Sequence, residues 1–358
     1  MKNSICKKRF MLIYSVKSIL LFLFLFSALN SNAQEKKYKI GCIAFYNLEN
    51  LFDTINTENV RDEEFTPEGR NRWTPDRYLV KLDMLAEVIS QVGNDLTKDA
   101  PAIIGVSEIE NIDVLEDLVN TPALKPYNYK IVHFDSPDKR GVDVGLLYQP
   151  KYFTVTGSVS YELGIEGRDD FFSRDQLLVS GLFDGEPLSI IVNHWPSRRG
   201  GEKRSRPLRI AAADLTRSIT DSLMQIDKNA KVIIMGDLND DPVDPSVKDH
   251  LKTSGKINKI PDGYLYNPME NLFKKGIGSL AWRDSWNLFD QIVISPGLVG
   301  ENRNDFKFYK ASVFNKKFLK NKEGRYAGYP LRTYAGGVYQ GGYSDHFPVY
   351  IYLIKETN

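Results

Sequence analysis

Short apolar runs alternate with polar interruptions along the chain, in two different periods. Residues 37–46, 102–106, 232–235, 288–295, 306–313 and 349–354 are rich in β-branched and aromatic side chains, the pattern of buried strands. Residues 129–134, 142–148, 153–161, 176–183 and 187–193 form a run of successive strand candidates, with Asp184-Gly185 as a hairpin turn. Helical spacing also recurs. Tyr78, Leu82, Leu85, Val88 and Ile89 share one face after Pro75-Asp76, with Gly93-Asn94 marking the end. Residues 114–119 predict a short helix, and Ala211, Leu215, Ile219 and Leu223 align within 208–223. Residues 54–76 follow neither period and predict a loop over a sheet rim. A run of adjacent strands between helix-linked ones implies an α/β fold with mixed sheets rather than a purely parallel sheet.

Several apolar runs end in polar residues. The clearest is Val232-Ile-Ile-Met-Gly-Asp237-Leu-Asn239, which delivers a carboxylate and a carboxamide to the end of a buried strand. Alone, this segment serves an Asx turn as well as a catalytic rim. Its repetition tips the balance. Asn47 and Glu49, Glu108, Asn193 and His194, Asp290, and Asp345 with His346 all stand beside apolar runs spread over the chain. The set is rich in oxygen donors and poor in imidazole, with no thiolate cluster and no HExxH. That composition suits Mg²⁺ or Mn²⁺ more than zinc, and such ions accompany phosphate chemistry. No serine elbow or P-loop competes with it.

Composition narrows the setting. Lys2, Lys7, Lys8, Arg9 and Lys17 precede or enter an apolar stretch at 19–28, and Ser31-Asn-Ala33 is a small-x-small cleavage box. Residues 1–33 are therefore expected to be a cleavable signal peptide, with residues 34–358 as one domain and no transmembrane anchor once the signal is removed. Removal takes away five basic residues and no acid, so the formal charge falls from +1 to −4. A wholesale basic surface is excluded, although a local basic groove is not. Only Cys42 remains of the two cysteines, so no internal disulfide forms and stability rests on the core. The expected location is secreted or periplasmic.

The segments Phe45-Tyr-Asn47-Leu-Glu-Asn, Val106-Ser-Glu108, Val192-Asn-His194-Trp, Gly236-Asp237-Leu-Asn239, Phe289-Asp290-Gln-Ile and Ser344-Asp345-His346-Phe-Pro-Val occur in this order. As an ordered set they resemble the endonuclease/exonuclease/phosphatase superfamily. The resemblance implies a DNase I-like four-layer α/β sandwich, two packed mixed sheets flanked by helices. It also implies a metal-dependent phosphoric ester hydrolase. Glu108 would be the principal metal ligand, supported by Asn47 and Asp345. Asp237 and Asn239 would orient or activate water, His346 aligned by Asp290 would act on the nucleophile or the phosphate, and His194 would contact a phosphate oxygen. Asp237 and His346 both stand as candidates for the base. Ser107 departs from the glutamine that many members carry before the metal-binding Glu. Asp143 either orients His194 or caps a hairpin.

A basic run follows His194, containing Arg198, Arg199, Lys203, Arg204, Arg206 and Arg209. A solvated loop is the plain reading; its attachment to His194 favours phosphate binding by Arg198, Arg199 and Arg204. A second stretch, 316–332, is interleaved with Phe318, Tyr326 and Tyr329, followed by Tyr334; packing under the loop is preferred there to base stacking. The leading expectation is a secreted Mg²⁺-dependent phosphodiesterase attacking phosphorus in line with water. Its partner would be a phosphoester, foremost nucleic acid, with no stable protein partner implied. A lipid or small-molecule phosphoesterase and a catalytically silent binding protein on the same scaffold are the alternatives.

Overall fold

Two mixed sheets face each other in the computed structural model, which describes residues 37–357. Tyr38–Glu356 forms one compact unit; the expected signal peptide and its boundary after Ala33 lie outside the described residues. No helix among the described residues is long and apolar enough to cross a membrane. In chain order the strands are β1 (Lys37–Leu51), β2 (Ile103–Ile109), β3 (Lys130–His133), β4 (Asp143–Tyr148), β5 (Phe153–Tyr161), β6 (Gln176–Phe183), β7 (Glu186–His194) and β8 (Val232–Asp237). The two-residue β9 (Thr253–Ser254) and β10 (Leu265–Tyr266) follow, then β11 (Leu280–Trp282), β12 (Ser285–Asn287), β13 (Asp290–Ile294) and β14 (Lys307–Val313). A small hairpin, β15 (Tyr334–Ala335) and β16 (Val338–Tyr339), precedes β17 (Val349–Thr357).

The first sheet has the order β14-β17-β1-β2-β4-β3 and the second β5-β6-β7-β8-β13-β10-β9. Each mixes directions: β1 runs parallel to β2, and β7 parallel to β8, while β4 and β13 oppose their neighbours β2 and β8. Period-two alternation explains the layering. In β8, Ile233 and Met235 join the core between the sheets, whereas Val232 and Ile234 pack with Ala212, Ala213 and Ile219 of the helix Glu202–Ile226. Gly105 of β2 marks a close approach, because a Cβ there would meet Met235 Sδ at 2.5 Å. On the other face of the first sheet, a Cβ at Gly145 would meet Leu115 at 2.9 Å. Leu115 belongs to the helix Ile112–Asn120, which packs in the same core as the helix Pro75–Gln91. The result is helix, sheet, sheet, helix, as the family resemblance implies.

Several boundaries differ from the sequence expectation. β1 continues to Leu51, carrying Asn47 and Glu49 within the strand. β13 begins only at Asp290. The third helix starts at Glu202, not 208, with Pro207 inside it. Proline lacks the N–H that would bond back one turn, so its position reads as a start. Yet Ser205 N–H already donates to Gly201 O, closing a turn before the proline arrives. Lys203, Arg204 and Arg206 are therefore helical, not part of a loop.

Candidate active site

Register builds one half of the site. His194 at the end of β7 pairs with Asp237 at the end of β8, and Asp237 with Asp290 at the start of β13. These three share strand parity with Val192, Met235 and Ile292, which lie in the core between the sheets, so they extend that core's edge as a polar row. The first sheet supplies the other half. Both β1 and β2 shift register at their ends, between Asn47 and Leu51 and between Ser107 and Ile109. Glu49, Asn50 and Glu108 there have φ of 50°, 51° and 57°. A left-handed glutamate costs on the order of 1–3 kcal/mol and needs its surroundings to hold it. The Asn50 N–H does so, donating to Glu108 Oε2 at 3.1 Å.

Hydrogen bonds join the two halves. Asn47 Nδ2 donates to Asp237 Oδ2 at 3.1 Å while Asn47 Oδ1 accepts from Glu49 N–H. Asn239 N–H donates to Asp237 Oδ1 at 3.0 Å, and its side-chain amide donates to Trp195 O. The Ser344 hydroxyl donates to Asn47 O and accepts from His346 N–H, tying the loop before β17 to β1. His346 Nδ1 lies 2.6 Å from Asp290 Oδ2. His346 Nε2 then faces Asp237 Oδ2 at 4.0 Å and Asp345 Oδ1 at 3.9 Å. His194 Nε2 stands 3.7 Å from Asp237 Oδ2 and 3.8 Å from Glu108 Oε1, and its Nδ1 has no hydrogen-bond partner.

Environment separates the two imidazoles. Burial opposes charge on His346, but Asp290, through both charge and hydrogen bond, overrides it with help from Asp345 and Asp237, holding the ring well above its usual range. For His194, burial and the cations Arg174 and Arg140 act in the same direction and push it well below. At neutral pH the site thus holds one imidazolium and one neutral imidazole. Burial, reinforced by Asp290 and Glu108 and offset by His346, raises the Asp237 carboxyl to about 7.

Not every expected residue joins this centre. Asp345 gives Oδ2 to Arg332 Nη2 at 2.5 Å, and Arg332 also reaches Glu49. Arg198 is turned away from a free anion: its Nη2 lies 2.6 Å from Asp244 and 2.9 Å from Asp240, and its Nε donates to Asn239 O. Arg199 and Arg204 line a cavity beside the centre instead. Asp143 takes the hairpin role, binding Ser136 N–H and the His133 ring at 3.0 Å, and does not reach His194 through any hydrogen bond. Asn193 faces the helix side, where Trp195 and Thr216 donate to it. In the second basic stretch Phe318 and Tyr334 pack against the core, as expected, but Tyr326 is half exposed.

Sequence reasoning missed a buried network beneath the site. Glu49 accepts from Thr333 N–H at 2.6 Å and lies 3.9 Å from Lys81 Nζ, which donates to Thr333 Oγ1 and Tyr343 O. Burial first, then Asp345, pushes Glu49 up to about 7 against Lys81 and Arg332; burial pulls Lys81 down to about 8. Lys81 carried a signal, since it interrupts the apolar stripe of its helix next to Leu82. Arg174, whose Nη2 donates to Trp195 O, carried none.

The donor set fits a divalent cation. Glu108, His194 and Asp237 bring ligand atoms within 4.8 Å of one another, and Asp237, Asp290 and His346 form a second such group. Buried like charges of this kind are unfavourable unless a cation or proton offsets them. His346 is committed to Asp290, which leaves the Glu108 side, with Asn47 adjoining, as the group suited to an ion.

Comparison with known proteins agrees with the geometry. The sequence profile described as Endonuclease/Exonuclease/phosphatase family matches residues 42–355. No curated protein sequence matches the chain. Truncated TDP2 of Caenorhabditis elegans is similar in structure, with a TM-score of 0.53 and 16% identity, covering 88% of this chain and 97% of that one. An endonuclease/exonuclease/phosphatase family protein of Bacteroides thetaiotaomicron gives 0.51 and 18%, covering 90% and 97% respectively. A mannosyl-6-phosphatase of the same organism gives 0.51 and 18%, covering 87% and 99%. At these identities the structural likeness speaks for the fold.

Proposed function

This chain belongs to the endonuclease/exonuclease/phosphatase family, a family of phosphoester hydrolases, and from that premise we propose that it is a Mg²⁺- or Mn²⁺-dependent phosphodiesterase acting on nucleic acid. The observation that carries the reading is the in-register row His194, Asp237 and Asp290 facing Glu108 and Asn47 across the rim. Glu108 and Asn47, with Asp237 adjoining, would hold the cation. When bound, the cation offsets charge on phosphoryl and leaving oxygens.

The protein's own groups account for the remainder. Asp237, with both oxygens fixed by Asn239 N–H and Asn47 Nδ2, accepts the proton of the attacking water. A base raised to about 7 by burial suits neutral pH, and a nearby cation would lower it further into the ionised form. The His346 imidazolium donates from Nε2 to a phosphoryl oxygen while Asp290 fixes its other nitrogen. Neutral His194 contacts a second oxygen. The water oxygen forms its bond to phosphorus, the ester P–O bond breaks, the leaving alkoxide takes up a proton from solvent water, and Asp237 returns its proton to solvent.

Support for nucleic acid comes from a cavity of about 570 Å³ that includes Asp345 in its lining. Trp282, Tyr326 and Tyr329 line it beside Arg283 and Arg325, a combination suited to stacked bases and backbone phosphates. The same rings suit a sugar face, which favours a small phosphorylated sugar as the second reading. A substrate panel of DNA, RNA, sphingomyelin and sugar phosphates, with Mg²⁺ or EDTA, separates them. Cleavage of DNA or RNA that EDTA and Glu108→Gln each abolish is the expected result. Release of inorganic phosphate from sugars alone replaces it with the second reading, and binding without turnover of any phosphoester rejects an enzyme altogether. Export is part of the proposal and rests on the pattern of residues 1–33. Protein recovered outside the cytoplasm should begin at Gln34; recovery with Met1 intact rejects cleavage.

A further inference from the structure

Beside the reaction centre lies a second cavity of about 470 Å³, lined by Arg140, Arg168, Arg174, Arg199 and Arg204 with no acidic side chain among its lining residues. Two of these cations are tied down outside it, Arg140 and Arg174 both pairing with Asp138 at 3.4 and 3.3 Å. Arg168 stands 3.7 Å from the exposed Asp170. The side chains of Arg199 and Arg204 are exposed and form no hydrogen bond or ion pair with any described residue. The deep wall is short of acceptors. Ser173 and Arg174 line it, both more than nine-tenths buried, and Ser173 Oγ and Arg174 Nε have no hydrogen-bond partner.

The position of this cavity relates it to catalysis. Pro196 and Ser197 belong to its lining, so the chain passes from His194 into the cavity wall within two residues, about 7 Å of backbone. Arg174 bridges the two places, lining the cavity while its Nη2 holds Trp195 O beside His194. Phe171 and Phe172 form an apolar flank. Arginine forks match phosphate oxygens, and five around one hollow far exceed what a single solvated surface needs.

We propose that this cavity is a second phosphate subsite, which takes a non-scissile phosphate neighbouring the bond that is cut, so that the enzyme selects strands carrying at least two phosphates. The inference rests on the nucleic-acid reading for the identity of its ligand, but the cavity itself is testable without turnover. Three dinucleotides are compared with Mg²⁺ present: one with a single internal phosphodiester, one with an added 5′-phosphate and one with an added 3′-phosphate. Wild type should prefer one of the two-phosphate compounds. In Arg199→Ala/Arg204→Ala the ratio of kcat/KM between that compound and the single diester should fall about tenfold, through KM. An unchanged ratio overturns the proposal.

If wild type cleaves none of the three, the nuclease reading fails, and calorimetry with inorganic phosphate decides the subsite by itself. Phosphate affinity that falls about tenfold in the double arginine variant, and not in His346→Ala, supports it. Affinity lost in His346→Ala and retained in the arginine variant, or no binding by wild type, overturns it.

Discussion

At the scale of single residues, the site is governed by which partner each titratable group can reach. His346 is charged because Asp290 lies 2.6 Å from its Nδ1 in a place where burial alone would discharge it. Asp290→Asn should therefore move the His346 pKa downward, since the burial remains while the largest compensating charge is gone and only Asp345 and Asp237 still favour the imidazolium. An NMR titration of the imidazole reads this directly, and an unmoved pKa would refute it. kcat at neutral pH should fall roughly 100-fold or more, the usual worth of a positioned acid–base group. The stability effect has a definite sign. A raised folded-state pKa gives stability that is fully present below the unfolded value near 6.5 and is lost as pH climbs through the folded value, so the variant's deficit in denaturant should be larger at pH 6 than in strongly alkaline buffer. Asp237, Glu108 and His346 were legible in the sequence because each closes or opens an apolar run, where strand period fixes direction. Arg174 and Arg332 were not, because loop residues meet their partners through tertiary folding that no period encodes. Asp143 was half legible: its hairpin partner His133, ten residues away, captured it before His194 could.

At the scale of elements, the helix Pro75–Gln91 is pinned to β1 and to the loop before β17 by one buried amine. Lys81 donates to Thr333 Oγ1 and Tyr343 O and offsets Glu49, while Glu49 takes Thr333 N–H. Lys81→Met should cost about 1–3 kcal/mol, because Thr333 Oγ1 and Tyr343 O lose their buried donor and Glu49 keeps only Arg332 as a cationic neighbour. Its pH dependence distinguishes this from lost packing. Glu49 is already pushed up to about 7, so its proton is retained on folding and stability declines as pH rises from the unfolded value near 4.3 through 7. Without Lys81 the folded value climbs further, and the deficit measured by urea unfolding should be smaller at pH 5.5 than at pH 8. Equal deficits at both would assign Lys81 a packing role only. The helix Glu202–Ile226 shows the limit of reading elements from pattern: Pro207 hid its first turn, and with it the helical placement of Arg204 and Arg206. Arg209 is buried against Asp240 at 2.7 Å, a fastening for the loop after β8 rather than a free cation.

At the scale of the whole molecule, the layering was legible because alternation in β7 and β8 sorts residues to two different cores, whereas the joining of the sheets at their rim was not. That rim sets acids from both sheets against each other, Glu108 from the first and Asp237 and Asp290 from the second. A cation bound there would stabilise only the folded chain, in which the two sheets meet, and the linkage is worth about 2.7 kcal/mol at roughly 100 times its Kd. Mg²⁺ or Mn²⁺ should therefore raise the Tm over that in EDTA by roughly 5 °C at such a concentration. Glu108→Gln preserves an oxygen for the Asn50 N–H and changes little in volume, so it tests charge rather than shape. The variant should lose most of the metal-dependent shift, and in EDTA it should melt at or above the wild-type temperature, because one of the facing acids has been removed without a cavity. A shift as large as that of wild type would mean that the ion binds elsewhere and that Glu108 is not its ligand. A variant that melts lower in EDTA would mean instead that the Glu108 charge serves the fold, with the cost of its left-handed backbone offset by a contact to His194 rather than by a metal.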